Sequence, residues 1–117
     1  MSTTLLILNA GPYGSENTYN GLRLAGAIAR RADEKVRVFL MGDAAHAAHR
    51  NQKVPQGYYN IGDMLGAVIR RSGQVAVCGS CMDARGMSED GLVSGAERGS
   101  MDILSTWTAE ADKVIVF

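Results

Sequence analysis

This chain carries no excess of charge of either sign: twelve Lys and Arg cancel twelve Asp and Glu. That argues against a nucleic-acid-binding protein, which normally shows a basic surplus. Long apolar runs are missing too, which excludes a helix able to span a bilayer. The N-terminus lacks the basic region and cleavage site of a signal peptide, so the expected address is cytoplasmic. With only two cysteines, a structural disulfide has little support in that compartment. Aromatic residues are scarce at 6% while glycines number 14, so tight turns and close backbone approaches are expected. No internal repeat, low-complexity segment or linker interrupts the 117 residues, which suit a single domain, 1–117. The charge is nonetheless uneven. Nine Lys/Arg and five Asp/Glu precede and include Arg71, and three and seven follow it, a split that a solvated surface explains.

The apolar segments that do occur are short and regularly interrupted. Residues 3–8 form a continuous apolar run typical of a fully buried strand. After the loop Asn9 to Gly14, Ser15 is a good N-cap, and Glu16 suits the first turn of a helix running to about Arg31. A second buried strand covers 35–40. Gly42-Asp43 opens a short Ala/His helix, and 51–59 reads as a loop. Helical spacing returns over 60–71, a third strand occupies 74–77, and Leu92-Val93 is a candidate fourth. Ser100 caps a last helix with Ile103, Leu104 and Trp107 on one face, and 113–117 is the final strand. Strands alternating with helices predict an α/β fold: three layers, with a mostly parallel sheet of four to five strands.

Both cysteines lie in one run, Cys78-Gly79-Ser80-Cys81-Met82-Asp83-Ala84-Arg85-Gly86, directly after the third strand. A cysteine at a strand end presents its sulfur at the carboxyl edge of the sheet, where open α/β folds hold ligands. Cys78 is therefore the candidate nucleophile. Its thiolate can accept sulfane sulfur as a persulfide and pass the outer sulfur on. A bland alternative is a small buried hydrophobe. Cys81 completes a C-x-x-C, whose spacing allows a redox disulfide, but the Trp and Pro surroundings of thioredoxin are absent. Arg85 can lower the pKa of Cys78 or receive an acidic donor. Asp83 either joins that site or forms a solvated ion pair. Gly79 and Ser80 belong to the same loop, and Gly86 serves a turn.

Gly11-Pro12-Tyr13-Gly14 follows the first strand and precedes a helix, a place where an anion can bind. It matches neither the dinucleotide fingerprint nor a P-loop, so no nucleotide cofactor is expected. Asn9, Gly11, Tyr13 and Asn17 are expected to line the edge of the cysteine pocket, since both loops lie at the same sheet edge. His46 and His49 share a helix face and with the cysteines would make a Cys2His2 composition. Some thirty residues separate the pairs, so solvated histidines are favoured and no metal is expected. Tyr58, Tyr59 and Met64 are candidates for a subunit interface.

At the cysteine run the chain resembles the DsrE/DsrF-like superfamily, and the likeness extends over nearly its whole length. The first strand with its Gly-rich turn carries it, with Phe39-Leu40-Met41-Gly42-Asp43 closing the second strand, Cys78 followed by Arg85-Gly86, and the ending Ala109 to Phe117. The resemblance implies a small α/β subunit assembled as a homotrimer or homohexamer. It further implies sulfur transfer between donor and acceptor proteins, with Cys78 as the persulfide cysteine and with no membrane or direct nucleic-acid partner. Cys81 departs from the best-known carriers. The cysteine run is more similar to the YchN-type branch. A dithiol redox protein and a non-enzymatic oligomeric adaptor are the competing expectations.

Overall fold

In the computed structural model, which describes residues 1–117, β1 (Ser2–Leu8) is the hinge of the layout. Thr4, Leu5, Leu6 and Leu8 are all buried, and burial of consecutive residues means both faces of the strand are covered. β1 therefore lies inside the sheet, paired with β2 (Glu34–Leu40) on one side and β5 (Lys113–Val116) on the other. β3 (Gln74–Cys78) pairs with β2, and β4 (Ala96–Gly99) closes the far edge. The order is β4-β3-β2-β1-β5, and all four pairings are parallel. No helix is long and apolar enough to cross a membrane.

The two faces of the sheet are covered unequally. α1 (Asn17–Ala29), α2 (Ile61–Arg70) and a 3₁₀ segment, Gly42–Ala48, lie on one face over a cluster of 19 buried residues that includes Leu6, Leu8, Val38, Leu40 and Leu65. On the other, α4 (Met101–Glu110) packs over a cluster of five, Leu5, Phe39, Ala76, Cys78 and Leu104. α4 is fastened at its start by Ser100, whose hydroxyl accepts from the Ile103 N–H at 3.2 Å. Trp107 meets Phe39 edge-on at 6.2 Å, and the Arg37 guanidinium lies over the same indole while pairing with Glu110 at 2.6 Å.

Small residues set how closely the helices approach. A Cβ on Gly21 would stand 2.6 Å from Leu8 Cδ2, so α1 reaches the sheet only because that position is glycine. Ala44, Ala45, Ala47 and Ala48 are fully buried, which lets the 3₁₀ segment press against the core.

Three local expectations are corrected. The fourth strand is Ala96–Gly99 rather than Leu92-Val93; Leu92 forms a single antiparallel bridge with His49 and buries its side chain. As the sheet edge, β4 has no need of apolar residues on both faces, so Ala-Glu-Arg-Gly suffices. The first helix begins at Asn17. Glu16 takes the cap position without a side-chain cap, and Ser15 Oγ lies 3.4 Å from the Asn17 N–H, a long contact. The Ala/His stretch is 3₁₀ and not α-helical. Elsewhere the α/β expectation holds, with the sheet at its upper count of five strands.

Candidate functional site

Cys78 is the last residue of β3, and its backbone turns directly into the short helix α3 (Gly79–Ala84). The alternation of β3 aims Cys78 and Ala76 at the α4 face, while Val75 and Val77 enter the larger cluster. The result is a thiol with 9% of its residue exposed, at the carboxyl edge of the sheet. One helical turn on, Cys81 brings its own sulfur back, and the two Sγ atoms are 2.7 Å apart with both cysteines free. Ser80 Oγ is 3.4 Å from Cys78 Sγ.

The environment separates the two thiols. Burial pushes Cys78 up, but hydrogen bonds from the Cys81 thiol, the Ser80 hydroxyl and the backbone N–H groups of Cys81 and Ser80 outweigh it, leaving Cys78 below the ordinary thiol range. Cys81 is pushed the other way, first by burial and then by donating to Cys78 and facing its charge. The Gly42 N–H, 3.2 Å from Cys81 Sγ, and Arg85 only partly oppose this. Cys78 is thus the more acidic thiol of the pair and Cys81 the less acidic one.

Arg85 serves a different atom from the one expected. Its Nε and Nη2 donate to Asp43 Oδ1 at 3.2 and 2.8 Å, and Nη1 donates to the Cys81 carbonyl at 3.1 Å. It ties the end of α3 to the 3₁₀ segment and so holds Cys81. The guanidinium nearest the start of α3 belongs to Arg98, at the end of β4. It grips both carboxylate oxygens of Asp83 at 2.9 Å each. It also lies flat against Gly79, where a Cβ would meet Arg98 Nε at 2.8 Å. Asp83 falls below the usual carboxylate range through its hydrogen bonds from Arg98. Arg98 is raised, first by that carboxylate and in smaller part by the charge on Cys78.

Arg98 carries no local signal in the sequence, because with Leu92-Val93 as the fourth strand it falls in a loop. With β4 at Ala96–Gly99, Cys78 pairs with Gly99, and the signal is plain: a cation one residue before the end of the neighbouring parallel strand.

The first loop reaches the site only in part. Gly11 borders Asp43, at 3.5 Å from a constructed Cβ, and so backs the carboxylate that holds Arg85. Asn9 donates to the Phe117 carbonyl at 3.2 Å and pins the end of β5. Tyr13 turns away from the sulfurs: its hydroxyl donates to Gln52 Oε1 and accepts from the Ile61 N–H at 3.0 Å. It stacks with Tyr59, which joins Tyr58 and Tyr19, so all four tyrosines form one cluster. Asn17 is the exposed first residue of α1. His46 and His49 face each other, with Nδ1 and Nε2 3.0 Å apart; burial and the charge of His46 lower His49. No three His, Cys, Asp or Glu side chains converge as a metal centre.

Comparison with known proteins agrees with the fold. Protein YchN of Escherichia coli strain K12 is 42% identical over 120 residues, covering 100% of both chains. An uncharacterized protein of Methanopyrus kandleri, MK0008, is 34% identical over 112 residues, covering 96% of this chain and 91% of its own. The crystal structure of ychN protein from E. coli superposes with a TM-score of 0.94 at 41% identity, covering all of both chains. A Methanobacterium thermoautotrophicum protein, MTH1491, shares the fold alone, with a TM-score of 0.76 at 13% identity over the full length of both. The sequence profile of the DsrE/DsrF-like family matches residues 3–117. The chain therefore belongs to the DsrE/DsrF-like family, a family associated with sulfur relay.

Proposed function

We propose that this protein carries sulfane sulfur on Cys78 between a donor and an acceptor protein. The observation that supports this most directly is the division of labour between two thiols in contact: Cys78 is lowered toward thiolate while Cys81 is raised. The Cys78 thiolate attacks the outer sulfur of a donor persulfide, R–S–SH. The donor's S–S bond breaks, R–S⁻ leaves, and Cys78–S–SH remains. An acceptor thiolate then attacks the outer sulfur, the new S–S bond breaks, and the Cys78 thiolate is restored. Arg98, lying against Gly79, and the N–H groups of Ser80 and Cys81 offset the negative charge at each stage.

The contact of the two sulfurs at 2.7 Å favours a second reading, a dithiol redox protein. Cys81 as thiolate would attack the inner sulfur of Cys78–S–SH, forming the Cys78–Cys81 disulfide and releasing HS⁻. An external thiol would then have to reduce that disulfide.

Self-association as a homotrimer or homohexamer is part of the proposed function. Met101, Val114 and Val116 are exposed large hydrophobics, and Ile7 and Met41 sit half-buried around the smaller core cluster, which supports coverage by another copy.

Incubating the reduced protein with a cysteine desulfurase and cysteine, then weighing it intact, tests the carrier reading. Wild type and Cys81→Ser should each gain one sulfur atom, and Cys78→Ser should gain none. An adduct retained in Cys78→Ser sinks the assignment. Release of sulfide with formation of an internal disulfide, abolished by Cys81→Ser, would put the redox reading first.

A further inference from the structure

A cavity of about 590 Å3 lies between the end of the 3₁₀ segment, the outer side of α2 and the loop before β4, and neither cysteine lines it. The space is within the range that takes a small metabolite. Eight of its thirteen lining residues carry polar or charged side chains, and two of these, Gln52 and Asn60, are braced. Gln52 donates to the carbonyls of Ala47 and His49, both at 2.8 Å. Asn60 donates to the Gln52 carbonyl at 3.1 Å and caps α2 by accepting from Asp63 N at 3.0 Å.

Two arginines of this wall have no carboxylate partner. The ion pairs of the chain are Arg37–Glu110, Arg85–Asp43 and Arg98–Asp83, and none involves Arg50 or Arg70. Asp90 feels the charge of Arg50 without bonding to it; its own partner is the Ser88 hydroxyl. Arg70 is an exposed side chain that passes close over Gly66. A Cβ at Gly66, one turn earlier, would stand 3.2 Å from its Nη1, so the glycine gives the guanidinium a seat on the helix surface beside the cavity. Asn51 and Ser94 add polar side chains to the same wall, and Asp63 supplies one carboxylate.

We propose that this cavity binds a small phosphate monoester with a hydroxylated body. Two forked guanidiniums match a group carrying nearly two negative charges at neutral pH, whereas a single carboxylate would leave one unmatched. Asn51 and Ser94 donate to the remaining phosphate oxygens, and Asp63 accepts from a hydroxyl of the body. The site is independent of the sulfur chemistry and stands whether or not Cys78 carries sulfur.

The test is a titration of the full-length, ¹⁵N-labelled protein with ribose 5-phosphate, with ribose and inorganic phosphate as comparisons. Saturable shifts should appear at the amides of Gly62, Gly66 and Gly95, which line the cavity. Arg50→Ala and Arg70→Ala should each weaken binding about tenfold or more, the loss expected for one charge-assisted pair. Arg71→Ala, a neighbour outside the wall, should leave it unchanged. Ribose should not bind, and phosphate alone should bind more weakly than the ester. Absence of saturable shifts, shifts centred on Gly79 instead, or equal losses in Arg71→Ala would overturn the proposal. Equal affinity for phosphate and its ester would remove the hydroxylated body from it.

Discussion

At the scale of single residues, the reactivity of this protein comes down to who donates to whom. Cys78 receives and Cys81 gives, and the difference arises from position. Cys78 sits where N–H groups of the following turn point at its sulfur, whereas Cys81 lies one helical turn further along the chain and receives a single N–H from Gly42. Because Cys78 is lowered, its thiolate persists below the pH at which an ordinary thiol is protonated. Its reactivity is lost as pH falls through that depressed value. Pulsed iodoacetamide labelling across pH should therefore modify Cys78 ahead of Cys81, with the lower midpoint at Cys78. Cys81→Ala, which removes the donor thiol, should move the Cys78 midpoint upward, and Cys81→Ser should move it less. The same labelling assigns Arg98. Arg98→Met is expected to raise the Cys78 midpoint while leaving the melting temperature within a few degrees, since an exposed ion pair contributes little to folding. A Cys78 midpoint that does not move would restrict Arg98 to holding Asp83. Cys78 itself was legible because an apolar run ending in cysteine is a local pattern. Arg98 was not, because its place beside Cys78 follows from strand pairing across some twenty residues.

At the scale of elements, the most sensitive joints are those where a side chain is missing. Gly21→Ala would drive a methyl into Leu8, a fully buried core residue, and should cost about 1–3 kcal/mol in urea unfolding. Ser100→Ala removes the one side-chain cap of α4 and should cost about 1 kcal/mol by the same measurement. The helices at 61–70 and 101–110 were legible from caps and apolar spacing, since Asn60 and Ser100 both cap as polar side chains should. The start of α1 was not: Pro12 to Gly14 form a turn with Tyr13 at φ +67°, and its hydrogen bond from Gly14 N to the Pro12 carbonyl delays the helix past Ser15. Nor was the fourth strand, because edge strands carry weak hydrophobic patterns, and Leu92, the stronger apolar signal, was buried by another route.

At the scale of the whole molecule, one side of the sheet is finished and the other is not. Two α-helices and a 3₁₀ segment cover the first face, and α4 leaves Val114 and Val116 of the edge strand β5 exposed on the second. An uncovered apolar edge strand is where a second copy would gain most from burial. If the proposed self-association uses this face, Val116→Asp should shift the mass measured by multi-angle light scattering toward that of a single chain. The far-UV spectrum should not change, since Val116 is 63% exposed in the isolated subunit. Unchanged mass would move the interface elsewhere. The sequence by itself determined the alternation of strands and helices, the parallel sheet and the strand-end placement of Cys78, because each is written in contiguous residues through apolar runs, caps and turn chemistry. Only the tertiary structure decided which arginine stands at the start of α3, which of the two thiols is the more acidic, that Tyr13 packs with tyrosines rather than with sulfur, and which face of the sheet is left open. Those outcomes depend on register between strands and on side chains distant in the chain, and no local pattern encodes either.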